Sequence, residues 1–392
     1  MVVAYADGVD VARTAPDAAV AAAGITAAEG GAEALVGWLP DAPPWLATAT
    51  GRTTMAGYAL RTPVAEGRFR YLPVRLSAVP RLLAAIAPDV AVVSVVRRGD
   101  QLAFGPTVGI GPALARSGRA LVVEVDPHGI DLGGPALDGC VTAVVEPEAP
   151  AAPVPAPRPP EEVDLAIGRR VVALLPERPT LQFGPGGVAD AIAASVDRPV
   201  SIWSGVVTDA VAGLAERGLL EGAATTAYTW GGEPIRRLAA DGRLRLEPVE
   251  VTHDPSTLSG IERFVACNTA VQLGLDGAVN VERVGGRAVA GIGGHADFAA
   301  GASRSPGGLS VIALRSVTRT GASTIVPSVE VVSTPRCDVE VVVTEHGVAD
   351  LRGVDDEERA RRLTAVADPA HREALTVAGR NVSTSGRTLS GL

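Results

Sequence analysis

The segment PEAPAAPVPAPRPPEEV at 147–163 constrains this chain most, because proline recurs through it every few residues. Proline fixes φ and removes a backbone donor, so neither a helix nor a central strand can run through the segment; an extended polyproline conformation is expected. We read it as a linker between an N-terminal unit, 1–146, and a C-terminal unit, 164–392. Before it, the apolar runs DVAVVSVV (89–96) and ALVVEVD (120–126) alternate with SAVPRLLAAIAP (77–88) and IGPALARSG (110–118). After it the rhythm returns: helix-like VDLAIGRRVVALLP (163–176), strand-like TLQF (180–183), helix-like VADAIAASV (188–196), strand-like PVSIW (199–203) and helix-like TDAVAGLAERG (208–218). Apolar runs of strand length between Ala/Leu-rich helical segments indicate buried parallel strands with crossover helices. The expected fold class is therefore α/β, in two tandem units with mostly parallel sheets that suggest distant versions of one design. Short strands are expected at 309–316, 323–332 and 339–347, then a charged helix at 355–367. Residues 1–60 carry weak periodicity and receive no element.

Composition narrows the function. All 35 basic residues are arginine, and against 44 acidic ones they leave a net charge of −9, which argues against nucleic acid or an anionic membrane as a partner. Aromatic residues at 3% leave little for base-stacking platforms, and the absence of lysine excludes a Schiff base or a P-loop lysine. Cys140, Cys267 and Cys337 lie far apart and are odd in number, which fits neither a disulfide framework nor a zinc cluster. The five histidines show no H-x-x-x-H spacing, so no metal site is expected. No basic stretch leads into a sustained apolar one, and charges or prolines interrupt every apolar run before about 18 residues. We expect a cytoplasmic protein without signal peptide or membrane span.

Two glycine clusters stand out. In TLQF-GPGG-VADAIAASV, Gly184, Gly186 and Gly187 precede a helix N-terminus, whose free N–H groups and dipole can seat a phosphate or a pantetheine amide. The second, Gly285, Gly286, Gly291, Gly293 and Gly294, lies within VERVGGRAVAGIGGHADFAAGASRSPGG (281–308), beside Asn268, Asn280, Glu282, His295 and Asp297. Such density lowers backbone order unless the main chain approaches something closely. A dinucleotide fingerprint is only imitated at 108–126: Pro112 follows the second glycine and Leu114 holds the third glycine's place. Ser204 lacks the glycine of a nucleophile elbow.

The run ACNTAVQLGLDGAVNVERVGGRAVAGIGGHADFAAGASRSPGGLSVIALRS (266–316), with TPRCDVEVVVTEHGVADLRG (334–353) and ADPAHREAL (367–375), resembles the acetyl-CoA hydrolase/transferase family, which includes acetate and 4-hydroxybutyrate CoA-transferases. The likeness extends upstream to 180–195 and more faintly to 71–83. It implies two tandem α/β domains of the CoA-transferase type, a site at their interface, and a homodimer or higher oligomer. The implied chemistry belongs to acetate metabolism: CoA transfer between an acyl-CoA and a small carboxylate, or hydrolysis of the thioester, with the CoA thioester as substrate and no permanently bound cofactor. By the same resemblance Gly184, Gly186, Gly187, Asn268, Gly291, Gly293 and Gly294 are the CoA-binding candidates. His295 stands where the family has glutamine, and His346 where it has tyrosine. The family's nucleophilic glutamate falls within IWSGVVTDA (202–210), at Gly205, with Trp203 in place of a histidine. No glutamyl-CoA thioester can form on glycine, so Glu282, His295 and Glu345 become the acid/base candidates. The alternative is a non-catalytic CoA-thioester-binding homologue, or a subunit needing a partner chain.

Overall fold

The computed structural model describes residues 1–26, 31–147 and 159–385. Residues 148–158 of the proline-rich linker lie outside them. Its last residues, 162 and 163, already belong to the helix Glu162–Val172, whose N-terminus is fixed by Asp164 accepting the Glu161 N–H at 3.0 Å.

The N-terminal half folds as β1 (Val2–Tyr5), β2 (Glu33–Val36), β3 (Gly51–Thr53), β4 (Phe69–Tyr71), β5 (Val90–Arg98), β6 (Gln101–Ala103), β7 (Ala120–Val125) and β8 (Ala143–Val145). Their order is β4-β3-β2-β1-β5-β7-β8, with every neighbouring pair parallel and β6 antiparallel on β5. The second sheet begins with β9 (Thr180–Phe183), β10 (Ser201–Thr208), β11 (Ala224–Trp230), β12 (Leu244–Leu246) and β13 (Phe264–Asn268). It runs β12-β11-β10-β9-β13, continues in parallel with Leu309–Ala313 and Val341–Thr344, and closes on antiparallel Gly347–Asp350. The two sheets repeat one strand order, as the shared sequence rhythm suggests. In each, the order reverses between the first and the fifth strand, at β1/β5 and β9/β13. Connections leave the strand C-termini there in opposite directions and open a crevice, the usual ligand position in parallel α/β sheets.

Sequence and structure agree at β5, β7, β9 and the helices between them. They part at 323–332, where only Ile325–Val326 pairs as strand and Pro327 ends it. They part again at 1–60, which holds β1, β2 and β3, each only three or four residues long.

One apolar core runs through both halves, joining Leu114 and Val123 of the first to Val207 and Val211 of the second. Each such side chain contributes roughly 1.5–3 kcal/mol by its burial. Polar ties cross the same seam: Val108 and Gly109 donate N–H to the Ala227 carbonyl, and Ser77 donates through N–H and Oγ to Asp297. Among the described residues, no helix is long and apolar enough to cross a membrane.

Candidate active site

A cavity of about 200 Å³ opens between the halves, walled by Asp7, Trp38, Met55 and Tyr58 from the first and by Gln182, Gly184, Gly205, His253, Asn268 and His295 from the second. It continues into a compartment of about 380 Å³ along the GPGG loop, the two sharing Tyr58, Gly184, Pro185, Asn268 and His295. Residues far apart in sequence meet here because β9, β10 and β13 are adjacent and end on the same side.

The GPGG loop leaves β9 and turns into the helix Gly187–Ser195. Gly186 has φ +125°, which favours glycine, and a side chain at Gly184 would enter open space, so the loop presents bare main chain to the cavity. The first-turn N–H groups of that helix have no intrahelical acceptor. Behind the loop, β9 and β13 pair in the register Ala266↔Gln182 and Cys267↔Phe183. Gln182 and Asn268 are 3% and 8% exposed, yet Gln182 Oε1 and Asn268 Nδ2 have no hydrogen-bond partner. Both unpartnered atoms belong to residues on the wall of one cavity. Sequence reading missed Gln182, although a lone polar residue in the apolar strand before a glycine loop was its signal.

The second glycine cluster is shaped mostly by the protein itself. A side chain at Gly291 would strike the Thr54 carbonyl and Met55, and one at Gly294 would strike the His253 ring. Gly293 has φ +55° and accepts the Leu76 N–H at 2.8 Å. This turn therefore clamps the two halves together while Gly293 and Gly294 line the cavity.

Gly205 sits on β10 at the cavity wall, and a Cβ there would lie 3.1 Å from His253 Nε2 and 3.2 Å from Phe298. His253 thus fills the space beside the position where the resemblance puts a carboxylate. The imidazole is buried, its Nδ1 is 2.8 Å from Thr252 Oγ1, and burial depresses its pKa to about 3, so it is neutral. Trp203 lies outside the cavity; its indole N–H donates to the Thr252 carbonyl at 3.0 Å and tethers the residue before His253.

His295 lines both compartments. Its Nε2 is 3.0 Å from the Thr269 carbonyl, which can only accept, so we assign the proton to Nε2 and leave Nδ1 to accept from Thr334 Oγ1 at 2.7 Å. Burial lowers its pKa to about 4. Both nitrogens are engaged, which suits positioning more than proton transfer. Glu282 is buried outside the cavity lining and holds the seam, accepting from Tyr71 Oη at 2.8 Å and Ser333 Oγ at 2.6 Å. Glu345 accepts from Ser316 N–H and Oγ, with His346 3.8 Å away, and neither lines the cavity.

The carboxylate that does line the cavity is Asp7, two residues past β1. It is 3% exposed; its Oδ1 accepts from Tyr228 Oη and its Oδ2 from the Trp38 N–H, each at 3.0 Å. Burial raises its pKa to about 6, against the lowering effect of these two hydrogen bonds. Sequence reading missed it because residues 1–60 gave no element on which to place it.

Repeated parallel sheets with one strand order, and a cavity where their switch points meet, define the α/β architecture of CoA-transferases: the crystal structure of a 4-hydroxybutyrate CoA-transferase from Porphyromonas gingivalis superposes with TM-score 0.74 at 26% identity, over 97% of this chain and 93% of that one. Residues 236–378 match the acetyl-CoA hydrolase/transferase C-terminal domain. The butyryl-CoA:acetate CoA-transferase of Anaerostipes caccae is 28% identical over 80% of this chain and 76% of its own length. The acetyl-CoA hydrolase of Saccharomyces cerevisiae is 32% identical over 53% of this chain and 41% of its own. Over the region 236–378 the chain is thus similar to the acetyl-CoA hydrolase/transferase family, and over most of its length to CoA-transferases.

Proposed function

We propose that the cavity binds an acyl-CoA thioester and that the chain acts on it as a CoA-transferase, with a small carboxylate as acceptor, or as an acyl-CoA hydrolase. The observation that carries this reading is the pair of unsatisfied amides, Gln182 and Asn268, beside an open helix N-terminus. In this reading Gly184, Gly186, Gly187 and Asn268 receive the pantetheine chain in the larger compartment. Gly293 and Gly294 border the acyl group in the smaller one, between apolar walls such as Trp38, Val79 and Phe298. The three cysteines are free, in keeping with a reducing, cytoplasmic setting. The relatives named above, a CoA-transferase and a hydrolase, support both reactions.

The test is a paired assay with acetyl-CoA or propionyl-CoA, with and without excess labelled acetate, following free thiol and label entering the thioester. Exchange without net thiol marks a transferase, and thiol without acceptor a hydrolase. A specific observation favours a second reading, a CoA-thioester-binding protein without turnover: Gly205 offers no carboxylate, and His253 crowds its side-chain position. Binding with neither signal would establish that reading for the isolated chain.

Binding itself has a separate check. Asn268→Leu is expected to raise the Kd for acyl-CoA by roughly 3- to 10-fold, the worth of one hydrogen bond at about 0.5–1.5 kcal/mol. Thermal stability should hold or rise, because the variant removes an unpaired buried amide. Calorimetric titration beside a melting curve reads both, and unchanged affinity would count against Asn268 as a ligand group.

A further inference from the structure

We propose that Asp7 is the catalytic carboxylate of this chain, a general base that activates water for attack on the thioester carbonyl. The inference deepens the reading above and rests on it: the cavity must take a CoA thioester.

Three observations converge on Asp7. Among the described residues, it is the one acidic side chain lining the smaller compartment, and no arginine lines it. A carboxylate buried there without a cation lowers stability, a state that persists where function needs it. Its place in the fold is also that of a ligand group. Asp7 follows β1 as the GPGG loop follows β9, so the corresponding loops of the two repeated sheets face one cavity. Its orientation is fixed from both halves: Tyr228 on β11 reaches across to Oδ1, the Trp38 amide holds Oδ2, and any side chain at Gly37 would intrude on the carboxylate. With one hydrogen bond per oxygen, lone pairs remain to accept from a water.

The step balances without a further reagent. Asp7 takes a proton from water as the water oxygen bonds to the thioester carbonyl carbon. The tetrahedral intermediate collapses with cleavage of the C–S bond, and the departing thiolate recovers the proton from Asp7, giving carboxylic acid and CoA thiol. Regenerated Asp7 carries no covalent adduct, so the absence of the family glutamate at Gly205 is no obstacle.

The groups facing Asp7 keep its titration legible. Tyr228 is pushed far above neutrality by burial, Tyr58 is raised too, and His253 and His295 across the cavity stay neutral above about pH 5 because burial holds them at about 3 and about 4. Asp10, in the same loop, is raised by burial to about 7 but lines a different cavity. The rate kcat/KM for thiol release should therefore climb with pH and level off above about 6, where Asp7 ionises.

The experiment combines variants with an isotope. Asp7→Asn is expected to bind acyl-CoA as the parent does, to lose about 100-fold or more in kcat, within the usual worth of a general base, and to lose the limb near pH 6. Asp7→Glu should recover part of the rate, and Asp10→Asn should keep the limb. Independently of any variant, one turnover of the parent in ¹⁸O-water should put label in the acid product and none in the Asp7 peptide. Unchanged turnover or limb in Asp7→Asn overturns the proposal and leaves thioester hydrolysis standing, and label in Asp7 overturns it in favour of a covalent nucleophile. Binding of acyl-CoA with no turnover by the parent also overturns it. Absence of binding removes the thioester reading itself.

Discussion

Gly205→Glu is expected to destabilise the protein by roughly 2–4 kcal/mol, the range for burying an ill-fitting charged group in a packed site, and not to create transferase activity. The reason lies in the neighbours. A Cβ at 205 would already stand 3.1 Å from His253 Nε2 and 3.2 Å from Phe298, tighter than ordinary contact, and the remaining side chain must pass the same ring. His253 cannot give way freely, because it packs on Phe298 at 4.6 Å and Thr252 holds its other nitrogen. Nor can it serve as a cationic partner, since burial keeps it neutral down to about pH 3. The pair should be coupled: Gly205→Glu with His253→Ala is expected to be less destabilised than the sum of the single variants. That double variant has room for a carboxylate where the family resemblance would put one, and should show label exchange from acetate into acetyl-CoA. Urea unfolding of the four proteins measures the coupling, and additive losses would show that His253 does not occupy that space.

Asp7→Asn is expected to raise stability above pH 7 by roughly 2–3 kcal/mol and to change it little at pH 4. The pKa of Asp7 rises from 3.8 to about 6 on folding, so the native state holds the proton more tightly than the unfolded chain. The resulting penalty is absent below pH 3.8, grows as pH rises to about 6, and is complete above that. At about 1.4 kcal/mol per pH unit it reaches roughly 3 kcal/mol. Asparagine keeps both hydrogen bonds if its amide is turned so that Oδ1 accepts from Trp38 and Nδ2 donates to Tyr228. Melting curves of parent and variant across pH 4–8 should diverge as pH rises, and parallel curves would show that Asp7 is not a buried charge. A gain in stability with a loss in turnover is the signature of a group retained for function.

The second half of the site was largely legible in the sequence, and the first half was not. GPGG by itself is a weak signal, because a tight strand-to-helix turn also needs glycine, and it gains weight from the family resemblance; in the structure the loop presents bare main chain to the cavity. The 291–294 glycines drew attention for the same reason, but Gly291 and Gly294 owe much of their identity to Thr54, Met55 and His253, contacts no local pattern encodes. Glu282 looked chemically available in VNVERVGG, yet both its oxygens are engaged at the seam by Tyr71, 211 residues away in sequence, and by Ser333. Asp7 and Gln182 went unseen for opposite reasons. Asp7 follows a four-residue strand in a stretch of alanine, glycine and proline with no usable period, whereas Gln182 lies in a strand read correctly but taken as core.

By itself the sequence determined the α/β class, the repeated strand-helix rhythm, the absence of a carboxylate at 205 and the family likeness, because apolar periodicity and residue identity are local properties of the chain. Only the tertiary structure decided which polar groups meet. Long-range packing sets the loops after β1 and β9 on one cavity, places His253 against Gly205, and buries Asp7 between the halves with Tyr228 as its partner. Desolvation and hydrogen bonding, which set the chemistry of those groups, arise from neighbours that the order of residues along the chain does not reveal.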